Sequence, residues 1–319
     1  DHPDFPWIGM VFAPPIIGVW YWCTDQYIVQ RVLSAKNETQ ARRGTIFAGY
    51  LKLLPIFMFF IPGLIAYAMS KSGQLNYTSS DQVFPTLVRE LLPSGMRGLV
   101  AGGLLAALMS SLSSVFNSCS TLFTIDIYKK LNPDASEKKL VFVGRIATGI
   151  VVITGILWIP LMQVISSGGL YKYLQSVQAY IAPPIAAVFL LGIFWSRINA
   201  SGALTALIGG FSAGMVRLGL EIKKASLSEG ILLDIAELNF LYFAIFSFLS
   251  SVAVMIVVSI LTPPPDLERL KGLTFSTTLE NDQEISKNSW DNSDVIHSVV
   301  IITILALILI YFSPIGIGG

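Results

Sequence analysis

Apolar stretches long enough to cross a bilayer recur eight times in this chain, at about 7–29, 43–69, 98–125, 141–165, 170–195, 201–220, 239–261 and 295–312. A hydrocarbon core of roughly 30 Å takes about 20 residues of helix, and any segment inside it must satisfy its own backbone hydrogen bonds. The sequence therefore predicts an all-α membrane protein with eight transmembrane helices. Composition agrees, since 53% of residues are hydrophobic and 13% charged, whereas soluble domains carry about 25% charged residues.

Lysine and arginine set the orientation, because cytoplasmic loops collect them. With the N-terminus outside, the inward loops hold twelve, from Arg31 to Lys287, and the outward loops five: Lys71, Arg89, Arg97, Lys223 and Lys224. An even number of spans returns the closing Gly-Ile-Gly-Gly to the outside. The formal net charge is +1, with no clustered basic face of the kind nucleic acid requires. Cys23 and Cys119 fall within spans, so no disulfide framework is expected. The first residue is Asp1 with no basic n-region or cleavage site after it, so the chain reads as beginning inside a larger protein. His2 and His297 are the only histidines. No metal-spaced Cys/His/Asp set, phosphate loop or nucleophile elbow occurs, and an enzyme is not indicated.

Two spans carry adjacent prolines, Pro14-Pro15 and Pro183-Pro184. Each proline removes a backbone donor and crowds the preceding turn. The first span is expected to bend or break near Pro14, and Ala182-Pro183-Pro184 to interrupt the fifth. Broken membrane helices lie against cavities, which favours a transport pathway. Trp20, Tyr21 and Trp22 follow the first proline pair. Trp20 fits an interfacial aromatic belt; Tyr21 and Trp22, placed after a double proline at mid-span, fit it poorly. Residues 71–97 end in an amphipathic pattern suited to a helix on the outer surface, and Gly210 and Gly214 form a small-xxx-small pair for close helix approach. Three segments result: a core of seven spans over 1–262, a polar cytoplasmic linker over 263–293 with the composition of a poorly ordered stretch, and a last helix over 294–319.

Charged and polar groups at membrane depth default to functional hypotheses. Lys52 lies ten residues past Arg42, about 15 Å along a helix. Snorkelling to the interface is difficult from that depth, so a polar cavity is favoured. In the third span Gly103, Ala107, Ser110, Ser114, Asn117 and Thr121 form one small, hydroxylated stripe. Such a stripe serves helix packing, but adjacent Ser110 and Ser111 also offer neutral oxygens to a hard monovalent cation. Near the start of the fifth span, Tyr171, Gln175 and Gln178 could bond a polyol or a neighbouring helix, and the residues alone leave both open.

Several motifs together resemble one family. WYWCTDQYIVQRVLSAKN, GYLKLLP, LMSSLSSVFNSCSTLFTIDIY, YLQSVQAYIAPPIAAVFLLGIFW and LYFAIFSF occur in order and cover most of residues 5–262. They are similar to the sodium/glucose cotransporters of the sodium:solute symporter family. The resemblance implies a LeuT-like fold of ten core helices in two inverted repeats, of which this partial chain matches the part from the sixth core helix onward. Ligands from the earlier helices would come from missing N-terminal helices of the same protein. Sodium would be held by the Ala107 carbonyl and the Ser110 and Ser111 hydroxyls. Lys52, Gln175 and the ring of Tyr21, with Trp22 beside it, would take the sugar, because a pyranose offers C–H faces to stack and hydroxyls to bond, and Tyr171, one turn before Gln175, is expected beside them. Sugar carriers of this type place Asn or Thr three positions before the gate tyrosine, where this chain has Gly18, which has no side chain to donate.

The function so implied is sodium-coupled secondary active symport of a hexose across a cell or bacterial inner membrane, with Na⁺ as the coupling ion. Myo-inositol or another polyol is the alternative solute, and the membrane part of a symporter-like sensor the alternative class. The isolated 319 residues are expected to be inactive.

Overall fold

The computed structural model describes residues 4–165, 169–313 and 316. His2 and the last three residues of the closing Gly-Ile-Gly-Gly lie outside them. Among the described residues the chain is helical, without strands. α1 (Trp7–Val19) runs into a π-helical turn, Trp20–Thr24, followed by α2 (Gln26–Leu33). α3 (Glu38–Pro55) passes through a second π turn, Ile56–Phe60, into α4 (Ile61–Lys71), and α5 (Val83–Leu91) follows. α6 (Ser94–Thr121) continues by a third π turn, Leu122–Tyr128, into the short α7 (Lys129–Leu131). Then come α8 (Glu137–Ile165), α9 (Leu170–Phe194), α10 (Ala200–Ile222), α11 (Ile231–Glu237) and α12 (Phe240–Leu261). The 263–293 linker, expected to be poorly ordered, contains α13 (Leu267–Leu270) and α14 (Glu280–Asn288), and α15 (Asn292–Tyr311) closes the chain.

Among the described residues, eight helical stretches are long and apolar enough to cross a membrane: Trp7–Thr24, Glu38–Lys71, Ser94–Leu131, Glu137–Pro160, Leu170–Phe194, Ala200–Ile222, Phe240–Leu261 and Asn292–Tyr311. They coincide with the eight apolar runs. The proline pairs do not break their helices. α1 continues through Pro14 and Pro15, and α9 through Pro183 and Pro184. In a span without competing water, a helix that loses one or two bonds still satisfies more of its backbone than any open alternative. The departure from α geometry comes instead at Trp20–Thr24, and Asp25 is extended (φ −76°, ψ 117°).

The chain divides into two compact units, residues 1–42 with 171–292 and residues 43–170 with 293–319. In the first, Ala13 of α1, Ala179 and Tyr180 of α9, Leu218 of α10 and Phe240, Leu241 and Ala244 of α12 form one buried cluster. Small residues set the spacing. A Cβ on Gly214 would lie 2.3 Å from the Tyr180 carbonyl oxygen, and one on Gly210 2.3 Å from Pro184 Cγ, so α9 and α10 meet along the expected Gly210–Gly214 face. Asn199 caps α10 by accepting from the Gly202 N–H at 2.9 Å.

In the second unit, α6 meets α8 where Ser120 Oγ donates to the Gly144 carbonyl at 2.7 Å. The amphipathic helix expected within 71–97 is α5, whose Leu87 packs with Ala66 of α4 and Leu75. α15 is tied to α3 by Arg43–Asp294 at 3.4 Å and by Tyr50 Oη to His297 Nδ1 at 3.0 Å.

Candidate functional site

The residues singled out in the sequence divide between the two units. Tyr21, Trp22, Tyr171 and Gln175 belong to the first, and Lys52, Ala107, Ser110 and Ser111 to the second.

In the first unit the π turn widens the helix by one residue per turn, a feature common at functional sites. It turns Tyr21 into a ring cluster. Tyr21 and Trp22 pack edge-on, centroids 5.1 Å apart at 86°, and Tyr21 and Tyr27 at 6.2 Å and 77°. The Tyr21 and Tyr27 hydroxyls share a hydrogen bond of 2.6 Å. Tyr21 is half-buried while 45% of Trp22 is exposed. Thr24 Oγ1 donates back to the Trp20 carbonyl at 2.6 Å within the π turn. Asp25 ends the turn and starts α2, its carbonyl accepting from the Val29 N–H at 2.9 Å. Beside it, Gln26 Oε1 is buried with no partner among the described residues. A Cβ on Gly18 would meet nothing within 4 Å, so packing within the chain does not demand glycine there. On α9, Gln175 Nε2 donates to Tyr171 Oη at 3.4 Å, one turn apart, which presents a hydroxyl and an amide together.

In the second unit, α6 is regular through 107–111. The Ala107 carbonyl is thus engaged along the helix and keeps one free lone pair. Ser110 and Ser111 are exposed, and their hydroxyls make no hydrogen bond among the described residues. Ser114 and Thr121, on the same stripe, instead donate to their own helix, to the Ser110 carbonyl at 3.1 Å and the Asn117 carbonyl at 2.8 Å. Within the stripe, then, Ser110 carries the hydroxyl left for another partner, and Ser111 beside it offers a second. Nearly every residue of α6 from Ser94 to Ser113 is exposed, the apolar Leu104, Leu105, Leu108 and Met109 included. Lys52 is exposed on α3, next to the buried Leu53.

Two further residues bear on the first unit: Tyr27, whose hydroxyl shares the bond with that of Tyr21, and Arg217, a guanidinium buried inside an apolar run.

The family model described as the sodium:solute symporter family matches residues 2–210. The chain belongs to the sodium:solute symporter family. It is a multi-pass membrane protein, and its relatives are cotransporters rather than enzymes. Sodium/glucose cotransporter 1 of Ovis aries is 41% identical over 313 residues, spanning 90% of this chain and 46% of the sheep protein. Sodium/myo-inositol cotransporter 2 of Homo sapiens is 41% identical over 293 residues, 86% of this chain and 43% of the human protein. A sodium/mannose cotransporter of Bos taurus is 41% identical over 298 residues, 87% of this chain and 49% of its own length. The chain thus spans a little under half the length of these relatives.

Proposed function

We propose that this protein performs sodium-coupled symport of a small polyhydroxylated solute, a hexose or myo-inositol. Family membership supports the sodium coupling, and three relatives named for glucose, myo-inositol and mannose support the solute class. The observation that carries the reading is the pair of unengaged hydroxyls on Ser110 and Ser111, because an alkali ion is bound by neutral oxygens. In this reading the Ala107 carbonyl and the two hydroxyls supply part of the sodium shell. Within the first unit Tyr21 stacks on the solute ring with Trp22 beside it, and Gln175 and Tyr171 bond its hydroxyls; Lys52 is proposed as a solute residue on the family resemblance alone. Helices preceding residue 1 supply the remaining ligands and cover the exposed first half of α6, within a LeuT-like inverted repeat. Residues 1–262 form the transport core, 263–293 the cytoplasmic linker and 294–319 the closing helix.

The energetics suffice without ATP. One charge crossing about 100 mV releases about 2.3 kcal/mol, and a tenfold sodium gradient adds about 1.4 kcal/mol. Together they sustain roughly several-hundredfold accumulation of a neutral solute per sodium. Gly18 bears on which solute is carried, since it leaves open space three positions before Tyr21 and contributes no side-chain donor. Counterflow of labelled solutes through the full-length protein separates the candidates. A hexose or inositol exchanges while amino acids and short carboxylates do not; exchange limited to the latter would refute the solute assignment.

A further inference from the structure

Within the unit built from residues 1–42 and 171–292, a cleft of ≈ 150 Å³ is lined by residues of α9, α10, α11 and the start of α12. At its wall Arg217 is 3% exposed. One nitrogen, Nη2, donates to the Leu238 carbonyl at 2.8 Å, and the guanidinium lies 5.5 Å from the centre of the Tyr180 ring. The other two, Nε and Nη1, are buried with no hydrogen-bond partner among the described residues. A charged group withdrawn from water with bare donors is among the costliest arrangements in a folded protein, and native structures pair such groups.

The carboxylates lining the cleft are committed elsewhere. Asp4 accepts from Lys172 Nζ, Glu237 pairs with Lys224 Nζ at 3.2 Å, and Glu221 accepts from the Tyr180 hydroxyl at 2.6 Å. What the cleft leaves unmatched is a pair of cationic N–H donors. We propose that it is a binding site for a small monovalent anion of the halide type, held by the free N–H groups of Arg217. The volume suits such an ion with a few waters, each occupying about 30 Å³. Asp4, Glu221 and Glu237 at the walls disfavour a multiply charged anion such as phosphate, while Lys172 and Lys224 keep the cleft neutral overall. None of the proposed sodium or solute residues lines the cleft.

The test is the thermal midpoint of the purified full-length protein as chloride replaces gluconate at fixed ionic strength and pH. The expected result is a saturable rise of a few degrees. Glu221→Gln keeps an acceptor for the Tyr180 hydroxyl but removes the charge opposing the anion, so it lowers the half-saturating chloride several-fold. Arg217→Gln abolishes the chloride response; if that variant fails to fold, the Glu221→Gln shift decides. Midpoints independent of chloride in both wild type and Glu221→Gln overturn the proposal, water or Glu221 then completing Arg217. A full chloride response in Arg217→Gln overturns it equally.

Discussion

Ser111→Ala in the full-length protein raises the sodium concentration for half-maximal uptake by roughly ten- to a hundredfold. A hydrogen bond or dipole contact to a charged group contributes about 1.5–3 kcal/mol, and each 1.4 kcal/mol is about a factor of ten in affinity. Two features of α6 make the substitution a clean one. The Ser111 side chain is exposed and bonds nothing among the described residues, so its loss leaves no buried group unpaired. Alanine is also the better helix former, so expression and thermal stability should hold while sodium dependence fails. Ser120→Ala is the contrasting control. Ser120 is 8% exposed and its hydroxyl donates to the Gly144 carbonyl across the α6–α8 contact, so removing the hydroxyl lowers stability and leaves the sodium titration in place. A Ser111→Ala variant with unchanged half-saturating sodium removes this residue from the ion shell.

Gly214→Ala has the largest expected effect on the fold. The added Cβ would stand 2.3 Å from the Tyr180 carbonyl oxygen and 3.1 Å from its carbon. Those are backbone atoms of α9 and cannot swing aside, so α9 and α10 must separate. Overpacking of this kind costs about 1–3 kcal/mol, read as a lower thermal midpoint of the purified protein. Gly210→Ala, facing Pro184 at 2.3 Å, should behave alike. Gly219→Ala lies on the same helix with nothing within 4 Å of its added Cβ, and helix propensity predicts a gain of up to about 1 kcal/mol. Equal midpoints for Gly214→Ala and Gly219→Ala would contradict the close approach of α9 to α10.

The spans were legible because hydrophobic length is a property of composition alone, and all eight fall where the apolar runs lie. The Gly210–Gly214 face was legible for a related reason: a helix contact that close needs residues without side chains. The proline pairs do not end their helices, because at membrane depth no water competes for the carbonyls that each proline frees. The irregular turn at Trp20–Thr24 follows from packing around Tyr21 and Tyr27, six residues apart, and no local pattern announces it. Arg217 could have been found, since an arginine inside the run 201–220 with a glutamate four residues on is a charge at membrane depth. That its Nε and Nη1 have no partner among the described residues is visible only once Glu221 is seen bonded to Tyr180. The candidate site residues were chosen from the order of the motifs, because Tyr21 and Ser111 lie 90 positions apart and no periodicity links them.

Uptake of labelled glucose and myo-inositol by proteoliposomes containing the full-length protein, at a fixed inside-negative potential, is the decisive measurement. With sodium outside, one of the two accumulates above equilibrium, and replacing sodium by potassium or choline lowers the rate at least about tenfold. Undiminished uptake without sodium at the same potential would contradict sodium-coupled symport by this protein.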